Sequence, residues 1–152
     1  MSLYAGETGD QRINTADNRQ GNEIDNGGVE QNEGFSINYL GDSEGGGETL
    51  VVTYYVFEDG QQRERASQIF EGVKRITASA GDGNDSIIVG ENVSADVNLS
   101  GGKGKDILAY VGLGAAVLRG DDGDDILQGS VGADRLEGGK GNDDLSGGDG
   151  RD

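Results

Sequence analysis

Large aliphatic residues in the second half of the chain recur at an interval of nine. Leu118, Leu127, Leu136 and Leu145 keep that spacing, and Ile87 and Leu108 occupy the same place in the flanking text. Each lies in a run of about three residues bounded by glycine and aspartate, which predicts a short strand with one side chain turned inward. Their column predicts a thin core. The first half is patterned differently. Thr49 to Phe57 reads Thr-Leu-Val-Val-Thr-Tyr-Tyr-Val-Phe, a β-branched and aromatic run that predicts a strand, and its two apolar faces predict cover on both sides. Glu58-Asp59-Gly60-Gln61 is expected to turn, Gln62 to Phe70 to return as a second strand, and Val73 to Ala80 to lead into the first repeat. Six of the eight aromatic residues lie between Phe35 and Phe70, so this region is expected to be a compact β cap; an aromatic sugar-binding platform is the sharper alternative. Gly6 to Gly34 holds Asn, Gln, Gly and acid with only Ile13, Ile24 and Val29 among them, which fits loops, a degenerate solenoid edge or disorder.

Between the aliphatic positions the polar text repeats in the same frame. Gly120 to Gln128 reads Gly-Asp-Asp-Gly-Asp-Asp-Ile-Leu-Gln, and Gly129 to Glu137 and Gly138 to Ser146 follow the same plan. Gly147 to Asp152 stops after its aspartate. Gly101 to Ala109 and Ala80 to Ile88 fit upstream, and Val111 to Arg119 fits with Ala116 where aspartate belongs. Between Val89 and Ser100 the frame slips, with Ala95, Asp96, Val97 and Leu99 hinting at one more strand. Glycines at positions one, two and four permit a tight turn in which carbonyl oxygens converge, and the aspartate at position six adds a carboxylate. Calcium takes about six to eight oxygen ligands of this kind. A flexible glycine linker has no reason to hold aspartate and leucine in phase.

Composition sharpens this. The chain has 152 residues, 30 of them glycine, with no proline, tryptophan or cysteine and 32% hydrophobic residues, so burial alone is a weak source of stability. The formal charge of -17 opposes compaction unless counter-charge is bound, and it argues against nucleic acid as a partner. Without histidine or cysteine there is no thiolate or imidazole metal ligand and no Ser/His/Asp or Cys/His triad. No apolar run has the length of a membrane span. Gly102-Lys103-Gly104 and Gly139-Lys140-Gly141 lack the Ser or Thr of a phosphate loop, and Asp121 to Asp125 is too crowded for an EF-hand.

The pattern Gly-Gly-x-Gly-x-Asp-x-U-x, with U aliphatic, resembles the repeats-in-toxin (RTX) family of hemolysin-type calcium-binding nonapeptides. The resemblance covers residues 80 to 152. It implies a right-handed parallel β-roll over residues 80–152; with residues 1–79 read as an N-terminal β-rich cap behind a polar, loose leading segment, the chain is expected to be all-β. Two nonapeptides then make one coil, so turns alternate between two edges. Asp85, Asp106, Asp125 and Asp143 follow each other on one edge, with one extra residue at Tyr110 and three between Asp85 and Asp106. That leaves the Asp85–Asp106 site the least regular of them. On the other edge Asp134 and Asp152 pair, and Ala116 leaves a weak or empty site. The resemblance implies that several Ca2+ ions are held by these aspartates and by turn carbonyls at Gly102, Gly104, Gly120, Gly123, Gly139 and Gly141. It further implies a structural module of a larger secreted protein at the bacterial cell surface, exported unfolded by type I secretion and folding on extracellular calcium. No enzymatic activity is expected. The alternative is a polysaccharide-recognition module, whose only basic material is Lys103, Lys105, Arg119, Arg135 and Arg151.

Overall fold

The structure is a computed structural model that describes residues 2–5, 11–14, 32–58 and 60–152. Strands β1 (Ser2–Ala5) and β2 (Gln11–Asn14) form an antiparallel pair, and β3 (Glu33–Asp42), β4 (Glu48–Glu58) and β5 (Gln61–Val73) form an antiparallel meander. The expected strand at 49–57 is thus β4, and the turn beyond it is made by Gly60, whose φ is +73°. Of the polar leading segment, residues 6–34, only Gln11–Asn14, Asn32 and the opening of β3 lie within the described residues.

From Arg75 onward the chain crosses back and forth between two sheets. β6 (Arg75–Asp82), β8 (Asp96–Lys103), β10 (Ala116–Asp122) and β12 (Arg135–Lys140) stack in parallel in the first. The second holds β7 (Ser86–Val89), β9 (Ile107–Tyr110), β11 (Ile126–Gln128) and β13 (Asp144–Ser146), also parallel. One strand from each sheet makes a coil, and the result is an all-β parallel solenoid of about four turns, with no helix among the described residues. The slipped stretch after Val89 yields β8. β6 spans the expected boundary at residue 80, while β1 adds antiparallel to β6 and β3 adds parallel to β7. Cap and roll therefore share both sheets.

The core lies between the sheets and is thicker than one column. Ile87, Leu108 and Leu127 stack in the second sheet and Ala78, Leu99 and Leu118 in the first, with Ile76, Val97 and Ala116 beside them, all buried. Each fully buried leucine contributes about 1.5–3 kcal/mol. Phe35 continues the column above Ile87 and meets Tyr54 at a ring-centroid distance of 5.5 Å. At the other end the core thins: Leu136 is only partly buried and Leu145 is 46% exposed. Of the six aromatic residues from Phe35 to Phe70, Phe35, Tyr54, Tyr55 and Phe70 are buried in packing, Tyr39 is half-buried and Phe57 is 37% exposed. The expected cover on both sides of β4 is incomplete: on its outer face only Tyr55 is buried, its ring lying close over Gly34, while Val51 and Thr53 are half-buried and Phe57 is exposed.

Candidate metal centre

The extra residues found in the sequence fall on one edge only. Along the first edge, turns 80–85, 101–106, 120–125 and 138–143 are equal in length, and Asp85, Asp106, Asp125 and Asp143 stand in one column. Each reaches back one coil. Asp106 Oδ1 accepts the amide of Asp85 at 2.8 Å, Asp125 Oδ1 that of Asp106 at 2.8 Å, and Asp143 Oδ1 that of Asp125 at 3.0 Å. The column has a further member that sequence reading missed. Glu33 donates its amide to Asp85 Oδ1 at 2.8 Å, and Asn32 Oδ1 accepts from Asn84 just as Asn84 Oδ1 accepts from Lys105. Asn32-Glu33-Gly34-Phe35 is a half-repeat in register, disguised by Glu for Asp and Phe for an aliphatic residue.

The second carboxylate oxygen behaves differently. Oδ2 of Asp85, Asp106 and Asp125 is buried and finds no hydrogen-bond partner among the described residues. These side chains are only 2%, 1% and 1% exposed. A buried, half-satisfied carboxylate is costly unless opposite charge joins it. Burial accordingly pushes Asp85 up to about 7 and Asp106 up to about 6, with the neighbouring carboxylates adding to the shift, and raises Asp125 in the same sense.

The glycines divide by task. Gly102 and Gly139, at position two, adopt φ of +116° and +109°, and a Cβ on them would lie 2.1 and 2.0 Å from the carbonyl oxygens of Gly81 and Asp121. Gly104, Gly123 and Gly141, at position four, are forced by close approach as well: a Cβ on them would lie 1.8, 1.6 and 1.9 Å from the carbonyl oxygen of the equivalent glycine one coil back. Gly120, at position one, is needed for another reason. A Cβ there would sit 2.3 Å from Oδ2 of Asp125, and Gly101 stands in the same relation to Asp106. The turns thus bring carbonyl oxygens and a partnerless carboxylate oxygen together without room for a side chain. Among the described residues no three acidic side chains converge, so an ion here would draw on carboxylates from stacked turns and on backbone carbonyls, a donor set that suits calcium.

On the second edge Asp134 Oδ1 accepts the amide of Ala116 at 2.8 Å, Asp152 Oδ1 that of Asp134 at 3.1 Å, and Asp134 Oδ2 that of Ser130 at 2.6 Å. Ala116 offers no carboxylate, as the sequence indicated. The basic residues are engaged on the outside: Lys103 with Asp82 at 2.8 Å, Lys105 with Asp124 at 2.9 Å, and Arg119 with Glu137 at 3.0 Å. Arg135 also bonds Glu137.

A parallel β-solenoid whose turns present stacked aspartates and converging carbonyls defines the class of calcium-binding β-rolls. Residues 119–152 match the RTX calcium-binding nonapeptide repeat in four copies, and RTX nonapeptide repeats bind Ca2+. No curated protein and no solved structure gives a significant match to the chain.

Proposed function

We propose that this chain is a calcium-folded structural module of a larger secreted protein. The observation that carries the reading is the set of buried, partnerless Oδ2 atoms on Asp85, Asp106 and Asp125. Successive pairs of Asp85, Asp106, Asp125 and Asp143 each hold an ion on the first edge. Asp134 and Asp152 hold one on the second. Carbonyls of the turns at Gly102, Gly104, Gly120, Gly123, Gly139 and Gly141 complete the ligand sets. Bound calcium supplies the positive charge that lets these carboxylates stay ionised inside the turns. Fifteen acidic residues from Ala80 onward repel one another in its absence.

Binding to the folded state alone stabilises that state by mass action, and extracellular calcium modules work at about 10⁻⁴ to 10⁻³ M. At cytosolic calcium levels the turns that lack their ions stay open, and they close outside the cell. That agrees with the type I export of RTX-like chains and with a place at the bacterial surface as part of a longer polypeptide. Isothermal titration of the chelated chain with calcium tests the reading: several ions bind, and far-UV circular dichroism gains β signal in step. A chain that takes up no calcium at millimolar concentration refutes it.

A further inference from the structure

The two edges of the roll differ in how their turns are closed. From the sheet registers, Val89 pairs with Tyr110 and Val97 with Ala116, so the upper turn, 90–96, has seven residues where the lower, 111–115, has five. The upper departs from the nonapeptide plan, while the lower keeps its glycines at positions two and four but has Ala116 in the aspartate place. Two side chains from outside the repeat frame hold these turns, one joining the upper to the lower and the other tying the upper to β4. The Tyr110 hydroxyl donates to the carbonyl of Val93 at 2.9 Å and accepts the amide of Gly114 at 2.6 Å, bridging consecutive coils from a fully buried ring. Glu48, at the start of β4 and only 6% exposed, accepts the Ser94 amide at 2.7 Å, the Ser94 hydroxyl at 2.6 Å and the Ala95 amide at 3.2 Å.

We infer that between Val93 and Ala116 the second edge is closed by Glu48 and Tyr110 in the place an ion takes elsewhere, so these two are positioning residues for an ion-free segment of the roll. The inference rests on the calcium reading of the first edge, and the contrast is chemical. Both oxygens of Glu48 are engaged by hydrogen-bond donors, whereas each first-edge aspartate from Asp85 to Asp125 keeps one buried oxygen without a partner. A carboxylate fully satisfied by N–H and O–H groups has no need of a cation. A phenol hydroxyl that bridges a carbonyl and an amide across two coils does what a shared ion does for two turns, and it is covalently part of the chain. Calcium therefore governs one edge throughout and the other only from Asp134 onward.

Amide hydrogen exchange resolved by residue, on the whole chain in millimolar calcium and again in chelator, tests this. Chelation is expected to leave Ser94, Ala95 and Gly114 protected. The amides of Asp85, Asp106 and Asp125, which donate into the aspartate column, are expected to exchange at least about tenfold faster in chelator. Tyr110→Phe should release Gly114, and Glu48→Ala should release Ser94 and Ala95, in both conditions alike. Neither substitution should change the number of ions bound, whereas Asp106→Asn should lower it. Chelation that opens Ser94, Ala95 and Gly114 together with the first edge overturns the inference and leaves the calcium reading standing. Chelation that moves neither edge overturns the calcium reading, and the inference falls with it. The wild-type comparison decides the matter even where Tyr110→Phe fails to fold.

Discussion

Removing calcium and raising the pH should weaken the fold together, because both leave the same carboxylates charged and alone. In the calcium-free folded chain Asp85 titrates at about 7 and Asp106 at about 6, against an ordinary value of 3.8. Between those limits the folded state binds more protons than the unfolded state, so stability falls as pH rises and the loss is complete above about pH 7. At about 1.36 kcal/mol per unit, the ceilings are about 4 kcal/mol for Asp85 and about 3 kcal/mol for Asp106. The turns sit at the edge of the roll near water, so roughly half of that, about 3–4 kcal/mol for the pair, is the expected loss. Against a domain stability of about 5–15 kcal/mol this is large.

The assay is urea unfolding in chelator at about pH 5 and about pH 8, where the midpoint should be lower at the higher pH. General repulsion in a chain of charge -17 acts in the same direction. The control is therefore the Asp85→Asn/Asp106→Asn double variant, in which most of the dependence should vanish. Calcium-free stability that is flat or rises over this range, or a dependence that survives in the double variant, refutes the reasoning.

Three further outcomes follow from the same geometry. Leu108→Ala should cost about 2–5 kcal/mol by urea unfolding in calcium, while Leu145→Ala, at the thin end of the core, should cost less than about 1 kcal/mol. Gly104→Ala places a Cβ against the Gly83 carbonyl at a φ of +121°; it should destabilise by about 1–3 kcal/mol and weaken calcium affinity in titration calorimetry. Asp106→Asn should raise the melting temperature in chelator at neutral pH and lower it in calcium, since it removes a charge that is a liability without the ion and a ligand with it; a shift of the same sign in both conditions contradicts the assignment.

The solenoid was legible in the sequence because its first edge and its strands repeat at nine. Leucine, glycine and aspartate recur in phase from Gly120 onward, and that phase dictates which residues stack. The half-repeat at Asn32–Phe35 was not legible, since register alone reveals it: Glu33 stands in an aspartate slot through a backbone contact to Asp85 made 52 residues away. Nor did the sequence show that position-one glycines such as Gly120 are required by the Asp125 carboxylate. A letter pattern records which residue recurs and is silent on the contact that demands it.

The slipped frame carries the wider lesson. Three extra residues between Asp85 and Asp106 predict an irregular pair, yet they lie in the turn at 90–96, on the opposite side of the coil. The Asp85 and Asp106 turns stack as regularly as any: Gly81 pairs with Gly102 and Asp82 with Lys103. An ion-bound turn fixes its own length, because the ligands must converge on one point. A turn held by side chains does not, because a tyrosine or a glutamate reaches in from wherever the fold puts it. Irregular spacing therefore marks where side chains replaced the ion, and it collects on the edge where Glu48 and Tyr110 do that work.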